Sequence, residues 1–184
     1  VSGVPTNANP ARVVNVSLGS TTQCSAAEQD AVNQLAARGA IVVAAAGNEA
    51  AQTVDAPANC TGAIAVTAHV DSGENASYAN VGSQVTLSAP GGGCGNSKVV
   101  LNSNGTVGTC SAPGGQSYIR TLYNDGAASP GAYTIVGSQG TSFAAPMVSG
   151  VVGLMLAVNP SLTPAQVTAV LKNTARPHPT NTFC

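Results

Sequence analysis

One segment of the sequence joins a serine to the start of an apolar helix: Gly140-Thr-Ser-Phe-Ala-Ala-Pro-Met-Val-Ser-Gly150. Ser142 lies where a strand or loop turns into that helix, so unpaired N–H groups and the positive end of the helix dipole point at it. This arrangement favours an attacking serine oxygen and offers a backbone N–H to a developing oxyanion. Serine is also a common helix N-cap, so local physics leaves the purely structural interpretation open.

A second candidate, Asn48, follows the apolar run Ala40–Ala46. Its side-chain amide could donate to an oxyanion, but Gly-Asn is also a common turn after a strand. The sequence has two histidines, His69 inside a predicted strand and His178 in a proline-rich tail. Neither context indicates a catalytic base.

These residues must be positioned by alternating strands and helices. A Ser-x-x-Glu capping box at Ser25 predicts a helix that ends at Gly39 and places Ala27, Ala31 and Leu35 on one stripe. The order β–α–β, with near-continuous apolar strands, predicts an α/β fold with a mostly parallel sheet covered on both faces. Strands are predicted at Arg12–Leu18, Ala40–Ala46, Ala63–Ala68 and Gln84–Leu87.

The last part of the chain is predicted to be helical. Thr141–Val158 contains no charged residue, and a helix that is apolar on every side is expected to be buried. A Thr-x-x-Gln capping box with Pro164 at the first helical position predicts a helix over Thr163–Thr174. The segment Gly91–Gly137 is instead rich in Gly, Ser and Asn, and we interpret it as a surface insertion carrying a hairpin of Val99–Leu101 and Thr106–Thr109.

Composition narrows the class of protein. Of 184 residues, 43% are hydrophobic and only 7% are charged, against about 25% charged in a typical domain. Disorder is excluded because disordered chains combine low hydrophobicity with high charge. Six scattered basic residues argue against a nucleic-acid partner. The longest apolar stretches, Ala40–Gly47 and Gly150–Val158, fall short of the ~20 residues of a membrane span. One domain over residues 1–184 is expected.

Five dispersed cysteines, without a C-x-x-C pair, indicate disulfides and an oxidising compartment rather than a zinc site. Secretion to the extracellular space or the periplasm fits this usage. Because five is odd, one cysteine lacks a partner within the chain, and the terminal Cys184 is the expected one.

The serine segment resembles a known family. Gly140-Thr-Ser142 and the residues after it are similar to the nucleophile signature of the subtilisin-like serine proteases, the subtilases. Val13–Gly19 resembles the family's substrate-binding strand and Val43–Glu49 its oxyanion-hole segment, in the family's order. The resemblance implies a three-layer αβα fold and a secreted serine endopeptidase acting on polypeptides.

The resemblance also implies roles for individual residues. Ser142 corresponds to the nucleophile, and Asn48 to the side-chain donor of the oxyanion hole. Substrate binding is carried by Ser17, Leu18 and Gly19, which pair with the substrate main chain, and by Ala45, Ala46 and Gly47, which form one wall of the specificity pocket. Small residues in that wall leave room for a large apolar substrate side chain.

The family's Asp and His motifs, Asp-[Ser/Thr]-Gly and His-Gly-Thr-His, do not occur in this sequence. We therefore expect the chain to be a C-terminal part of the catalytic domain, truncated at its N-terminus and inactive without the missing N-terminal part of the same domain. The alternative is a non-catalytic subtilase-like module that binds peptides or serves a structural role.

The resemblance bears on metals and disulfides as well. At one cation site of the family, two positions that carry acidic residues are occupied here by Gln84 and Thr86. Without that negative charge no metal or other cofactor is predicted for this chain, although calcium remains an option for the full-length domain. Cys24–Cys60 would tie the loop after the substrate strand to the loop beyond the oxyanion segment, and Cys94–Cys110 would bracket the hairpin. Four cysteines allow three pairings, so the other two stay open.

Overall fold

A central sheet of four parallel strands organises the molecule, whose computed structural model describes residues 3, 5, 7–101, 103, 107–110 and 116–179. The strands lie in chain order and are β1 (Val13–Val16), β2 (Ile41–Ala45), β3 (Ile64–His69) and β4 (Leu87–Pro90). The sheet-associated helices are α1 (Ala26–Ala37), α2 (Thr141–Val158) and α3 (Pro164–Thr174).

Strand β2 shows why the sheet needs a helical layer on each face. All five of its residues are buried. Val43 packs in one cluster with Val152 of α2 and residues of α3, whereas its neighbour Val42 packs with Val32 of α1 on the opposite face. Since successive strand residues point to opposite faces, the sheet lies between two layers. This is the three-layer α/β/α arrangement expected from the sequence.

Helix α1 begins and ends as predicted, but its buried face differs. Ser25 and Glu28 form the capping box, and Gly39, with φ +76°, accepts the left-handed turn that ends the helix. The expected stripe is wrong at Ala27 and Ala31, which are exposed. Val32 is buried instead, because the larger side chain covers more apolar surface against β2.

Helix α2 is less buried than its composition predicts. Six of its 18 residues are buried, and they form the stripe that faces the sheet. On the other side Val151, Leu154 and Val158 are 47%, 70% and 89% exposed, because no described element packs there. Among the described residues, one helix, α2, is long and apolar enough to span a membrane by length and composition, a measure that core helices of soluble proteins also meet.

Two of the predicted strands also differ in detail. Strand β1 lies at the edge of the described sheet and is only half-buried, whereas a buried strand was expected. Strand β4 starts at Leu87, not at Gln84, because the chain first turns, with the Val85 N–H donating to the Gly82 carbonyl. Pairing with β3 can begin only after that turn.

The described part of the insertion is built from short antiparallel pairs. The expected hairpin forms between Val99–Leu101 and Val107–Cys110, while Thr106 lies outside the described residues. The remaining elements are β5 (Gly93–Cys94), the 3-10 turn Asn96–Lys98, β6 (Val99–Leu101), β7 (Val107–Cys110), β8 (Gln116–Ser117), β9 (Ile119–Asn124) and β10 (Tyr133–Ser138).

Two disulfides hold the loops. Cys24 bonds to Cys60 with 5.1 Å between their Cα atoms, and Cys94 bonds to Cys110 with 5.8 Å. These are the two pairings expected from the sequence. Cys184, the expected unpaired cysteine, lies outside the described residues.

Candidate active site

Ser142 is the second residue of α2 and contacts the end of β1. Its Oγ donates to the Ser17 carbonyl oxygen at 3.1 Å, and the Ser17 hydroxyl donates to the Ser142 carbonyl at 2.8 Å. Helix α2 starts after Gly140, whose φ of +148° turns the chain sharply and which provides no side-chain cap. The Thr141 and Phe143 N–H groups have acceptors, whereas the Ser142 N–H meets none among the described residues and stays available beside the half-buried serine hydroxyl.

Asn48 is oriented by the residue before the serine. Its Oδ1 accepts hydrogen bonds from the Thr141 backbone N–H at 2.8 Å and from the Thr141 hydroxyl at 3.0 Å. A backbone N–H can only donate, so the amide atom facing it must be the oxygen. The Asn48 amide nitrogen is thereby turned away and meets no acceptor among the described residues. This leaves a fixed, unused donor next to Ser142.

Thr141 is itself fully buried and couples the two segments. Its Oγ1 lies 3.3 Å from both the N and the carbonyl O of Gly47. The oxyanion-type donor on the loop after β2 and the serine on α2 are thus held together by one side chain.

Tyr78 anchors the glycine that opens the helix. The Gly140 N–H donates to the Tyr78 hydroxyl and to the Gly91 carbonyl, both at 2.9 Å. The hydroxyl in turn donates to the carbonyl of Gly91 at 2.8 Å or of Gly92 at 3.0 Å. Burial raises the pKa of Tyr78 to about 12, so the phenol keeps its proton and remains a donor.

Asn80 shapes the loop that carries Asn48. The side chain is fully buried, and its Oδ1 accepts from the backbone N–H groups of Glu49 and Ala51, each at 3.0 Å. Its own backbone N–H donates to the Gly47 carbonyl at 3.1 Å. Asn80 therefore holds the loop of residues 47–51 at three points, two through its side-chain oxygen and one through its backbone N–H.

The residues expected to bind substrate flank this centre. Leu18 is 71% exposed and Gly19 is exposed just after β1 ends. The other expected wall, Ala45, Ala46 and Gly47, is buried at the end of β2. The exposed main chain of Leu18 and Gly19 suits pairing with an extended peptide, whereas a role of the buried residues Ala45, Ala46 and Gly47 in substrate binding stays a prediction.

Neither histidine contacts the serine within the described structure. His69 is half-buried, and its Nδ1 lies 3.1 Å from Ser88 Oγ. Burial, and then the positive charges of Arg176 and His178, lower the pKa of His69. His178 is exposed and lies against the Pro179 carbonyl at 3.1 Å. The described site therefore holds a candidate nucleophile and oxyanion donors but no general base.

At the one cation position considered in the sequence, the described residues do not fit a bound calcium ion. Gln84 and Thr86 carry no charge, and the Thr86 hydroxyl already accepts the Ala65 N–H at 3.2 Å. Hard cations need carboxylate oxygens. Among the described residues one group of possible ligands converges, Cys24, Glu28 and Cys60, and its two sulfurs are joined in a disulfide.

Sequence reasoning assigned no role to Thr141, Tyr78 or Asn80. A role for Thr141 could have been predicted, because Thr141 lies between Gly140, which opens the helix, and Ser142. Tyr78 and Asn80 carry no local signal, since their partners lie 13 to 62 residues away along the chain.

Several known proteins have sequences similar to this chain. The model of the Subtilase family matches residues 3–183. An extracellular protease of Xanthomonas campestris pv. campestris is 42% identical over 97% of this chain and 27% of its own length. An extracellular basic protease of Dichelobacter nodosus is 33% identical over 95% of this chain and 26% of its own.

Solved structures of proteases have folds similar to that of this chain. A protease structure from Pseudoalteromonas arctica superposes with a TM-score of 0.78 and 36% identity, covering 97% of this chain and 48% of that one. A cold-adapted subtilisin-like serine proteinase superposes with a TM-score of 0.66 and 28% identity. The chain thus spans about a quarter of those curated relatives and about half of the solved chains.

Proposed function

The chain belongs to the subtilase family, and on that premise we propose that it forms part of a secreted serine endopeptidase. Ser142 is its nucleophile and polypeptide is its substrate. The extracellular location is supported by the names of the relatives and by the two disulfides, which persist in oxidising compartments.

The chemistry is acyl transfer. Ser142 Oγ attacks the scissile carbonyl carbon while its proton passes to a base, and the carbonyl oxygen becomes an oxyanion. The Asn48 amide nitrogen and the Ser142 backbone N–H donate to that oxyanion. The tetrahedral intermediate then expels the amine, which takes up the proton, and water later hydrolyses the acyl-enzyme.

One observation carries this proposal: the orientation of Asn48 by Thr141. A turn asparagine satisfies its own loop, whereas here the oxygen is bound by the residue next to Ser142 and the nitrogen is left unused. Removing such a donor usually lowers kcat about 10²–10³-fold.

We further infer that these 184 residues are inactive by themselves. A serine without a base is a weak nucleophile, and the described contacts bring no histidine to Ser142. The base and its orienting carboxylate then belong to an N-terminal part of the same domain, which is the partner that this account requires. Calcium binding to the full-length domain stays a prediction.

The test is hydrolysis of an unstructured protein by the native enzyme and its variants. Ser142→Ala should abolish cleavage, Asn48→Ala should lower kcat about 10²–10³-fold with little change in KM, and the exposed Ser161→Ala should match wild type. Cleavage that survives Ser142→Ala would refute the assignment. Peptide binding without any cleavage would instead identify a non-catalytic module.

A further inference from the structure

The backbone carbonyl of Ser142 lacks its ordinary helical partner. In α2 that carbonyl would accept the N–H of the residue four positions later, and this residue is Pro146, which has no N–H. The Ser17 hydroxyl supplies a hydrogen bond in its place, donating to the Ser142 carbonyl at 2.8 Å. The main chain at the candidate nucleophile is therefore tied to a side chain that follows β1, and not to the next turn of α2.

Two further side chains extend this contact into a chain of hydrogen bonds. The Asn15 Nδ2 lies 2.9 Å from the Ser17 Oγ, and the Asn15 Oδ1 lies 2.9 Å from the Oγ of Ser149 on α2. Side chains two positions apart on an extended strand share a face, and on this face of β1 Val13 packs against the cluster that contains Val152 of α2. Ser149, Asn15 and Ser17 thus form a relay, which runs from the middle of α2 through β1 to the Ser142 carbonyl.

The Ser142 carbonyl fixes the direction of every hydrogen bond in the relay. A carbonyl can only accept, so the Ser17 hydroxyl directs its one proton there and accepts from Asn15. The Asn15 atom that faces Ser17 is therefore the amide nitrogen, and the amide oxygen accepts from Ser149. The Ser149 hydroxyl donates to Asn15 at 2.9 Å in place of its alternative acceptor, the Ala145 carbonyl at 3.0 Å. An amide at position 15 presents a donor to one hydroxyl and an acceptor to the other, whereas a carboxylate would present acceptors to both.

We propose that Asn15 is a positioning residue for the Ser142 nucleophile. By holding the Ser17 hydroxyl on the Ser142 carbonyl, Asn15 fixes the main chain that carries both the attacking Oγ and the N–H offered to the oxyanion. This inference rests on the proposed function and deepens it. Asn15 is exposed and belongs to the edge strand of the described sheet, so its replacement should affect kcat much more than the free energy of unfolding.

The direct test measures kcat, KM and the free energy of unfolding for the native enzyme and for variants at position 15. Asn15→Asp, a change of similar size, turns the Ser17 proton toward the new carboxylate, and it should lower kcat about 10-fold while KM changes less than about threefold. Asn173→Asp, the same change at an exposed position of α3, should alter neither constant. A wild-type kcat in Asn15→Asp overturns the proposal, and so does a loss of kcat that is fully explained by a loss of folded protein.

A double-variant cycle shows whether Asn15 acts through Ser17. The combined variant Asn15→Ala/Ser17→Ala should be no slower than Ser17→Ala alone, because Asn15 then has no hydroxyl left to orient. Losses of kcat that multiply in the combined variant would contradict the relay. Ser149→Thr, which keeps the hydroxyl donor, should retain most of the kcat that Ser149→Ala loses, and equal values for these two variants would also contradict it. A native protein that cleaves nothing refutes the proposed function together with this inference, whereas cleavage that does not depend on Asn15 refutes this inference alone.

Discussion

At the scale of single residues, a few buried polar groups organise the site. Thr141 turns the Asn48 amide, Tyr78 holds Gly140, and Asn80 holds the loop that carries Asn48. Each acts through another residue, so each is a positioning residue. Buried hydrogen bonds of this kind specify one arrangement, because a lost partner leaves a desolvated group unpaired.

Tyr78→Phe is expected to disturb the position of Gly140 more than the stability of the fold. The Gly140 N–H keeps the Gly91 carbonyl as a partner, so the free energy of unfolding should fall by only about 1–2 kcal/mol. The start of α2 loses its second anchor, so kcat should fall more than KM changes. Steady-state kinetics and chemical denaturation check this, and an unchanged kcat would show that Tyr78 has no positioning role.

His69 should make the protein sensitive to acid. Its pKa is lowered in the folded state, so as pH falls below about 6.5 the unfolded chain binds a proton first and the free energy of unfolding decreases. His69→Gln should reduce the loss of stability between pH 7 and pH 5, measured by denaturation. His178→Gln should retain most of that loss, because burial is the main cause at His69. Identical pH profiles for wild type and His69→Gln would contradict this.

At the scale of elements, the sequence predicts the features that depend on local interactions and misses those that depend on tertiary packing. Caps are local, so α1 and α3 begin at the predicted residues. The buried side of α1 and the exposure of α2 depend on what packs against them, which no local pattern contains. The motif around Ser142 could be located in the sequence, whereas the positioning roles of Tyr78 and Asn80 could not, because these residues meet their partners only in the fold.

The cap of α3 offers a stability test at this scale. Thr163 Oγ1 accepts the Gln166 N–H at 3.3 Å, and Gln166 Oε1 accepts the Thr163 N–H at 2.9 Å. Thr163→Ala removes half of this box and should lower the free energy of unfolding by about 1 kcal/mol. Thr163→Ser should keep most of it. Equal stability of the Ala and Ser variants would show that the cap contributes nothing.

At the scale of the whole molecule, a charge-poor sheet is held together by apolar burial and two disulfides. Cys24–Cys60 spans 36 residues and ties the loop after Ser17–Gly19 to the loop that follows the Asn48 segment. Because both loops shape the expected substrate cleft, this disulfide links stability to function.

Removing that disulfide should therefore destabilise the protein and blunt its selectivity. The double variant Cys24→Ala/Cys60→Ala is expected to lose about 2–4 kcal/mol of stability in thermal or chemical unfolding. Cys94→Ala/Cys110→Ala, in the insertion, serves as the comparison and should leave peptide selectivity unchanged. Equal peptide selectivity in the two double variants would show that the Cys24–Cys60 bond does not shape the substrate cleft.

The central claim is that Ser142 is an activated nucleophile. The most direct measurement is mass spectrometry of the native protein after reaction with a serine-reactive fluorophosphonate. The account predicts one adduct, on the peptide containing Ser142, that disappears in Ser142→Ala, persists in Ser161→Ala and forms more slowly in Asn48→Ala. Labelling at another serine, or no labelling of a folded native protein, would contradict it.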